Sequence, residues 1–258
     1  MVKAKDQNVA GAPARTPGKR RLPRSRLKPD EREELFARLR AQRPKPKAEL
    51  EFHDPFTLLV AVALSAQATD KGVNRATRIL FRDAPTPEAM LALGEEGVAA
   101  RIRTIGLWRN KARNVVALSE RLVGEHGGEV PRDRAALEAL PGVGRKTANV
   151  VLNMGFGEKT IAVDTHIFRL GNRIGLAPGR DPDEVERVLM RAVPDDYLMD
   201  AHHWLILHGR YVCKARKPDC GACVIADLCR FKEKTTSEPA PVVEAPPNGP
   251  LTGSDDPG

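Results

Sequence analysis

The four cysteines of this sequence all lie between residues 213 and 229. They are spaced C-x6-C-x2-C-x5-C, at Cys213, Cys220, Cys223 and Cys229. Because the long body before them contains no cysteine, disulfides cannot link distant parts of the fold, which favours a reducing compartment. Four thiolates this close together suit a tetrahedral metal or a cubane cluster. Zinc sites more often contain two C-x2-C pairs, but the spacing alone leaves both kinds of site open.

Ahead of the cysteines, apolar residues repeat at helical spacing almost throughout, and only residues 160–163 look extended. Helix starts are marked by a residue whose side-chain oxygen can cap a free amide, and three of them carry proline at the first helical position. These starts are Asp30, Asp54-Pro55, Thr86-Pro87 and Asp181-Pro182. The pattern predicts an all-α body of roughly ten helices.

The two ends differ from this body in composition. Residues 1–28 carry many Lys and Arg among Pro, Gly and Ala, which predicts a disordered basic arm. A solvated tail and a second anchor on nucleic acid fit that arm equally well. Residues 234–258 are rich in proline, mildly acidic and aperiodic, which predicts a disordered tail.

Charge and hydropathy restrict the partners and the location. The chain has 42 Lys and Arg against 34 Asp and Glu, a formal net charge of +8 and a pI near 9.5, which suits a polyanionic partner. No apolar run reaches membrane-spanning length, and the N-terminus lacks the apolar stretch of a secretory signal. We therefore expect an intracellular protein without a membrane partner.

The stretch LPGVGRKTA, residues 140–148, predicts two helices joined by a hairpin. Helical patterns over 134–140 and 145–153 flank Pro141, Gly142, Val143 and Gly144. Glycine permits positive φ and close approach, so the hairpin amides and the start of the second helix can face an anion. A DNA phosphate is the natural anion for a basic protein, although a tight turn between packed helices fits the same residues.

Several motifs in a fixed order carry a family resemblance. LPGVGRKTANVVLN is followed by VDTHIFR at residues 163–169 and then by the cysteine cluster, and SAQATD and HHWLILHGRY also match. Together they closely resemble endonuclease III, the DNA glycosylase and abasic-site lyase family of base excision repair. The resemblance runs from about residue 54 to residue 233 and identifies the cysteine spacing with a 4Fe-4S cluster.

The resemblance implies a two-domain, all-α fold. A six-helix barrel domain, residues 48–158, contains the helix-hairpin-helix motif. Residues 29–47 and 159–233 together form a helical iron-sulfur cluster domain, and the two domains flank a DNA-binding cleft. The implied partner is damaged double-stranded DNA, bound by a monomer in the cytoplasm, at the bacterial nucleoid.

By the same resemblance, Lys146 is the nucleophile and Asp164 is its catalytic partner. Nucleophilic attack requires an uncharged amine, and lowering a lysine pKa from about 10.4 to near 8 takes roughly 3 kcal/mol. A helix N-terminus supplies only about 0.3 to 1 kcal/mol against a cation. Desolvation in a closed cleft and the neighbouring cation Arg145 would supply the rest. From the sequence alone, Asp164 is a helix N-cap, and both roles can coexist.

The family also assigns DNA contacts. Gln67 fills the space that a flipped nucleotide leaves, and Leu107 wedges into the opposite strand. Backbone contacts come from the hairpin, with Gly142, Val143, Gly144 and Arg145, and from the basic loop Lys214, Arg216 and Lys217. The lesion pocket would include Ser65, Asp70 and His166. Asp70 could also cap the next helix, and a packed helix position fits His166 better than the pocket does.

The implied function is a bifunctional glycosylase and lyase that removes oxidised pyrimidines and nicks the strand by β-elimination. A mismatch adenine glycosylase is the alternative among enzymes, but such relatives lack the lysine after the hairpin and carry an extra C-terminal domain. A noncatalytic DNA-binding module would gain nothing from a carboxylate near phosphate. A ferredoxin-like electron carrier would not need the long body that precedes the cysteines.

Overall fold

The structure, a computed structural model, describes residues 21–235 of the 258-residue chain. Within that range it contains ten α-helices and no β-strand, which confirms the all-α fold. Most of the predicted basic arm and nearly all of the predicted tail, residues 1–20 and 236–258, lie outside the described residues. The helices are α1 (Pro29–Gln42), α2 (Pro55–Leu64), α3 (Asp70–Asp83), α4 (Pro87–Ile102), α5 (Trp108–His126), α6 (Arg134–Ala139), α7 (Arg145–Phe156), α8 (Thr165–Ile174), α9 (Pro182–Ala192) and α10 (Leu198–Tyr211).

The predicted cap and proline pairs open α2, α4 and α9. The side-chain oxygens of Asp54, Thr86 and Asp181 each accept a hydrogen bond from the amide three residues on. Helix α1 also begins with proline, at Pro29, so Asp30 lies inside the first turn rather than at the cap. Local capping chemistry therefore sets most of these helix starts.

Helices α2 to α7 enclose one hydrophobic core. Helix α4 packs on α3 and α5, and α2 packs on α7. Leu58, Leu118 and Leu152 are buried at its centre. The hairpin between α6 and α7 therefore stands on a packed six-helix scaffold.

A second core joins the first helix to the C-terminal part of the chain. Leu35 and Phe36 of α1 are buried there with residues of α8, α9 and α10, and the rings of Phe36 and Trp204 lie 6.5 Å apart. Residues 21–28, assigned by sequence to the basic arm, run along this core. Leu27 is buried, and the amide of Arg26 donates to the Gly175 carbonyl at 2.8 Å.

The extended stretch at residues 160–163 connects the two cores without forming a strand. Ile161 and Val163 are buried in the second core, whereas Ala162 between them is buried in the first. This alternation is the period of an extended chain. Asn149 of α7 donates to the Ile161 carbonyl at 3.2 Å, which ties the connection to the helix that follows the hairpin.

Candidate nucleic-acid and catalytic site

The hairpin exposes the start of α7. Gly142 has φ 76°, and a Cβ there would lie 2.8 Å from the side-chain amide nitrogen of Asn114, so both conformation and space require glycine. Val143 is buried and anchors the turn, while Gly142 and Gly144 are exposed. Gly144 is the N-cap of α7 and provides no side-chain acceptor. The first amides of α7 are thus suited to bind an external anion.

Lys146 occupies the second position of α7 and is exposed. It borders a small cavity of about 70 Å³ between the two halves of the molecule. The α7 face that carries Lys146, Val150 and Met154 forms one wall. Other walls come from α2, α3 and α10, through Val62, Ser65, Asp70, His202, His203, Ile206 and Arg210. The side chain of Lys146 is thus accessible to solvent beside this cavity.

Asp164 is the N-cap of α8, as the sequence predicts. Its Oδ1 accepts from the Ile167 amide at 2.8 Å, and its side chain is only partly exposed. It does not line the small cavity beside Lys146. The two residues are linked through Asn149, three residues after Lys146, which binds the carbonyl of Ile161, three residues before Asp164.

A larger groove of about 750 Å³ adjoins the small cavity and shares Glu49, Asp70 and Arg210 with it. The Arg210 guanidinium is paired with the carboxylates of Asp70 and Glu49. His166 also lines this groove and packs closely on Gly209 of α10, where an added Cβ would lie 3.0 Å from the His166 Cβ. The predicted pocket residues are thus divided between the two adjoining cavities, Ser65 in the small one, His166 in the large one and Asp70 in both.

One detail of the predicted pocket needs correction. Asp70 does not cap α3, because Thr69 precedes it and accepts from the Gly72 amide at 3.2 Å. Asp70 is the first residue of the helix instead. Its carboxylate is therefore free to pair with Arg210 across the groove.

Gln67 and Leu107 share an unusual backbone conformation. They are the two non-glycine residues with positive φ in the described chain, at 54° and 59°. Both side chains are exposed, Leu107 by 57%. Their loops adjoin, since a Cβ on Gly106 would lie 3.8 Å from the Gln67 carbonyl oxygen. Strained, exposed residues on neighbouring loops are common at functional sites.

Arg145 is not an uncompensated cation beside Lys146. Its guanidinium forms a two-point ion pair with Glu186 of α9, at 2.8 and 2.9 Å. Glu186 is buried, with a side chain only 7% exposed. The charge expected to act on Lys146 or on a phosphate is thus neutralised in the free chain.

The four cysteines surround one site after α10, together with Arg173, His208 and Phe231. Burial and, to a lesser extent, the other cysteines raise the pKa of Cys223 to about 11, so thiolates need a positive metal centre here. Among residues 21–235, no three His, Cys, Asp or Glu side chains are arranged for a single metal ion. Four cysteines around one site are the donor set of a 4Fe-4S cluster, so the residues present fit that cluster.

The basic loop between the first two cysteines is exposed, and Arg173 of α8 holds its backbone through hydrogen bonds. Arg173 donates to the carbonyls of Lys214 and Ala215 at 2.8 and 3.0 Å. Lys214, Arg216 and Lys217 remain exposed on its outer side. The same arginine lies 3.5 Å from the Cys213 sulfur, so the loop and the cluster site share a support.

Sequence reasoning missed His202, Glu186, Glu49 and Arg210 as site residues. Arg210 and His202 lie within the matching segment HHWLILHGRY, but no spacing rule marks them for a role.

Among the described helices, none is long and apolar enough to cross a membrane.

Comparisons with known proteins give independent evidence on the family. Two family models match the chain. One is described as HhH-GPD superfamily base excision DNA repair protein and covers residues 60–195, and the other as iron-sulfur binding domain of endonuclease III and covers residues 213–229. Endonuclease III of Escherichia coli strain K12 is 60% identical over 201 residues, 78% of this chain and 95% of that protein. Endonuclease III of Haemophilus influenzae is 59% identical over the same shares.

Solved structures agree with these matches. A trapped endonuclease III–DNA covalent intermediate has a TM-score of 0.75 at 44% identity, and the match covers 79% of this chain and 96% of that one. A thermostable thymine-DNA glycosylase shares the fold, with a TM-score of 0.71 at 24% identity over 78% of this chain and 96% of that one.

Proposed function

The chain belongs to the endonuclease III family within the HhH-GPD superfamily of base excision DNA repair proteins, and from this we propose that it removes oxidised pyrimidines from duplex DNA and nicks the strand through a Schiff base on Lys146. It is a DNA repair enzyme with an iron-sulfur cluster. The proposal concerns its lesion class, its lyase step and the residues that carry them.

The observation that carries the proposal is the position of Lys146. It stands exposed on the first turn of α7, directly after a hairpin whose amides can hold a phosphate, and beside a cavity between the two halves of the protein. A phosphate bound at the hairpin would bring the neighbouring sugar to the lysine. One of the similar structures is an endonuclease III trapped in a covalent intermediate with DNA, which supports the same chemistry here.

The reaction requires the uncharged amine of Lys146. Its nitrogen attacks C1′ of the flipped nucleotide, the bond from C1′ to the base breaks, and the base leaves with the electron pair and takes up a proton. Asp164 accepts the proton that the substituted amine loses. Asp164 can do so while its Oδ1 caps α8, because a carboxylate has further acceptor sites.

Strand nicking follows from the same intermediate. The nitrogen electron pair forms the C1′=N bond as the C1′–O4′ bond breaks, and O4′ leaves with its electrons and takes up the proton held by Asp164. The ring is then open, with a protonated Schiff base between C1′ and Lys146. Loss of a C2′ proton sends electrons to the 3′ carbon–oxygen bond, and the 3′ phosphate departs. Water then hydrolyses the imine and frees Lys146.

The remaining site residues bind and open the DNA. We assign backbone contacts to the hairpin and to the exposed loop of Lys214, Arg216 and Lys217, which the cluster cysteines hold in shape. The 4Fe-4S cluster supplies a fixed crosslink among its four cysteines and takes no part in the steps above. Gln67 would enter the vacated stack and Leu107 would separate the opposite strand. Ser65, Asp70 and His166 would face the extruded base.

The two cores support the predicted division into a barrel domain and a cluster domain with the groove between them. Both walls of the groove come from one chain, so we propose that the protein acts as a monomer. We also propose that it acts in the cytoplasm of a bacterium, at the nucleoid.

The proposal is tested with duplexes that carry single defined lesions, incubated with and without borohydride, which reduces a Schiff base to a stable bond. We expect capture of the wild type on oxidised pyrimidines, at Lys146 by mass spectrometry, and no capture of Lys146→Gln. Lys232→Gln is the matched control, since Lys232 is exposed and lines neither cavity. Capture at another residue, or nicking by Lys146→Gln, would contradict the proposal. Capture on adenine mismatches alone would mean that the substrate is mismatched adenine and not an oxidised pyrimidine.

A further inference from the structure

His202 is a buried polar residue that the reaction above does not use. It lies on α10, is only 4% exposed and faces the connection between the two cores. Its Nδ1 is 3.1 Å from the carbonyl oxygen of Ala162. A carbonyl oxygen only accepts hydrogen bonds, so Nδ1 carries the hydrogen and donates.

This bond fixes the role of the other ring nitrogen. Burial, helped by the positive charges of His203 and Lys146, lowers the pKa of His202 to about 3, so the ring is neutral at neutral pH. In a neutral ring that donates through Nδ1, Nε2 holds the free electron pair. Within the described chain, Nε2 makes no hydrogen bond. An acceptor without a partner in the protein is therefore available beside the cavity that His202 lines.

Lys146 borders the same small cavity of about 70 Å³. Other polar side chains that border it, those of Ser65, Asp70 and Glu49, already bind other groups of the protein. Ser65 Oγ donates to the Val62 carbonyl at 2.8 Å, and the carboxylates of Asp70 and Glu49 pair with Arg210. His203 meets the ring of His202 edge to face, 5.4 Å between centroids. Among these groups, His202 Nε2 has an electron pair without a partner in the protein, and the Nδ1 bond to the Ala162 carbonyl fixes the direction in which that pair points.

We propose that His202 is a positioning residue for the nucleophile, whose Nε2 accepts a hydrogen bond from the Lys146 amine and directs its electron pair toward the DNA cleft. This rests on the proposed function of Lys146. The weakly basic ring does not take the proton of the lysine, so it orients the amine without acting as its base. An exposed lysine has many rotamers, and one fixed acceptor restricts them before DNA arrives.

Two substitutions separate the two ring nitrogens. The amide of glutamine reaches about as far as Nε2, so His202→Gln keeps an acceptor for Lys146. The amide of asparagine reaches about as far as Nδ1, so His202→Asn keeps the bond to the Ala162 carbonyl and leaves nothing toward the lysine. A purely structural histidine would tolerate Asn at least as well as Gln, whereas positioning predicts the reverse order.

The test uses the full-length, cluster-loaded enzyme on a duplex with one abasic site. The single-turnover rate of borohydride capture is measured beside affinity for an unreactive abasic analogue. We expect His202→Gln near the wild-type rate and His202→Asn slower by about 10-fold to 100-fold at unchanged affinity, since one hydrogen bond to an amine is lost. Asp200→Asn, the matched control on the same helix, should change the rate less than threefold, because Asp200 lines neither cavity. Equal rates for the Gln and Asn variants would overturn the proposal.

A second measurement leaves His202 intact and guards against variants that do not fold. The ring nitrogen shifts of His202 are recorded by NMR in the wild type and in Lys146→Met, which keeps the stem but removes the amine. We expect the Nε2 signal to move and the Nδ1 signal to stay, and an unchanged Nε2 would overturn the proposal. Failure of the proposed function is distinguishable, because the wild type would then show no capture at residue 146 at all.

Discussion

Arg145 at the start of α7 and Glu186 on α9 form a two-point ion pair, with Nε to Oε2 at 2.8 Å and Nη2 to Oε1 at 2.9 Å. Helix α7 packs in the first core and α9 in the second, so the pair joins the two halves of the protein at the residue before Lys146. The Glu186 hydrogen bonds raise the pKa of Arg145 above its ordinary value. Arg134 also lies 3.5 Å from Glu186, which places two cations on one buried carboxylate.

Glu186→Gln tests this junction. It should lower the free energy of unfolding by about 1 to 3 kcal/mol, because two guanidiniums lose their buried counter-charge while partial exposure of both softens the loss. Urea unfolding at pH 7 measures the change. The control is Asp183→Asn, since Asp183 lies 3.7 Å from Arg145 with a side chain that is 64% exposed, and it should cost less than about 0.5 kcal/mol. Equal costs for both variants would count against the junction.

Asp164 caps α8 and has a proposed catalytic role, and two substitutions separate the two. Asparagine caps as well as aspartate, so Asp164→Asn should change the free energy of unfolding by less than about 0.5 kcal/mol, whereas Asp164→Ala should cost about 1 kcal/mol. Both should slow borohydride capture by about 100-fold or more, because neither accepts a proton. Thermal unfolding and capture rates on one set of preparations decide the matter. Rapid capture by the asparagine variant would leave Asp164 a cap and nothing more.

Features set by neighbouring residues were predictable from the sequence. The capping pairs at Asp54, Thr86 and Asp181 act over three residues, and the hairpin glycines act within one turn, so local chemistry places them. The cysteine ligands are also close in sequence. The motif order added the family, which the comparisons confirm. The pairing of Lys146 with Asp164 that the family implies stays a prediction.

Long-range relationships were beyond local patterns. Arg145 and Glu186 are 41 residues apart, and His202 meets the Ala162 carbonyl across 40. The sequence did not settle which side chain caps α3, because Thr69 and Asp70 are adjacent and both are good N-cap residues. The positive φ of Leu107 could not be predicted from the residue type, because glycine is the residue that usually adopts it. Each of these depends on how distant segments pack rather than on what a short segment prefers.

Leu107 is held in a conformation that disfavours its own side chain. Leu107→Gly should leave the free energy of unfolding unchanged or raise it by up to about 1 kcal/mol, since φ 59° suits glycine and the lost side chain is 57% exposed. Base release from duplex DNA should fall by about 10-fold to 100-fold, because the wedge is gone. Ile79→Ala, which removes another exposed apolar side chain, is the control and should leave base release unchanged. Full activity of the glycine variant would remove Leu107 from the opening step.

Acid stability reports on His202 independently of catalysis. Burial lowers its pKa from an ordinary 6.5 to about 3, so between these values the unfolded chain binds a proton that the folded chain does not. The stabilisation is therefore present above pH 6.5 and is lost as pH falls. From this group alone, the free energy of unfolding should be about 2 kcal/mol lower at pH 5 than at pH 7.

The matched variant for this prediction is His202→Gln, which does not titrate and should lose about 2 kcal/mol less than the wild type over the same interval. Urea unfolding at the two pH values measures both proteins, with visible absorbance of the cluster recorded to exclude its loss as the cause. An identical fall in both would mean that His202 already gains its proton in the folded chain at pH 5. Its ring would then be charged, Nε2 would donate rather than accept, and it could not hold the amine of Lys146 in acid.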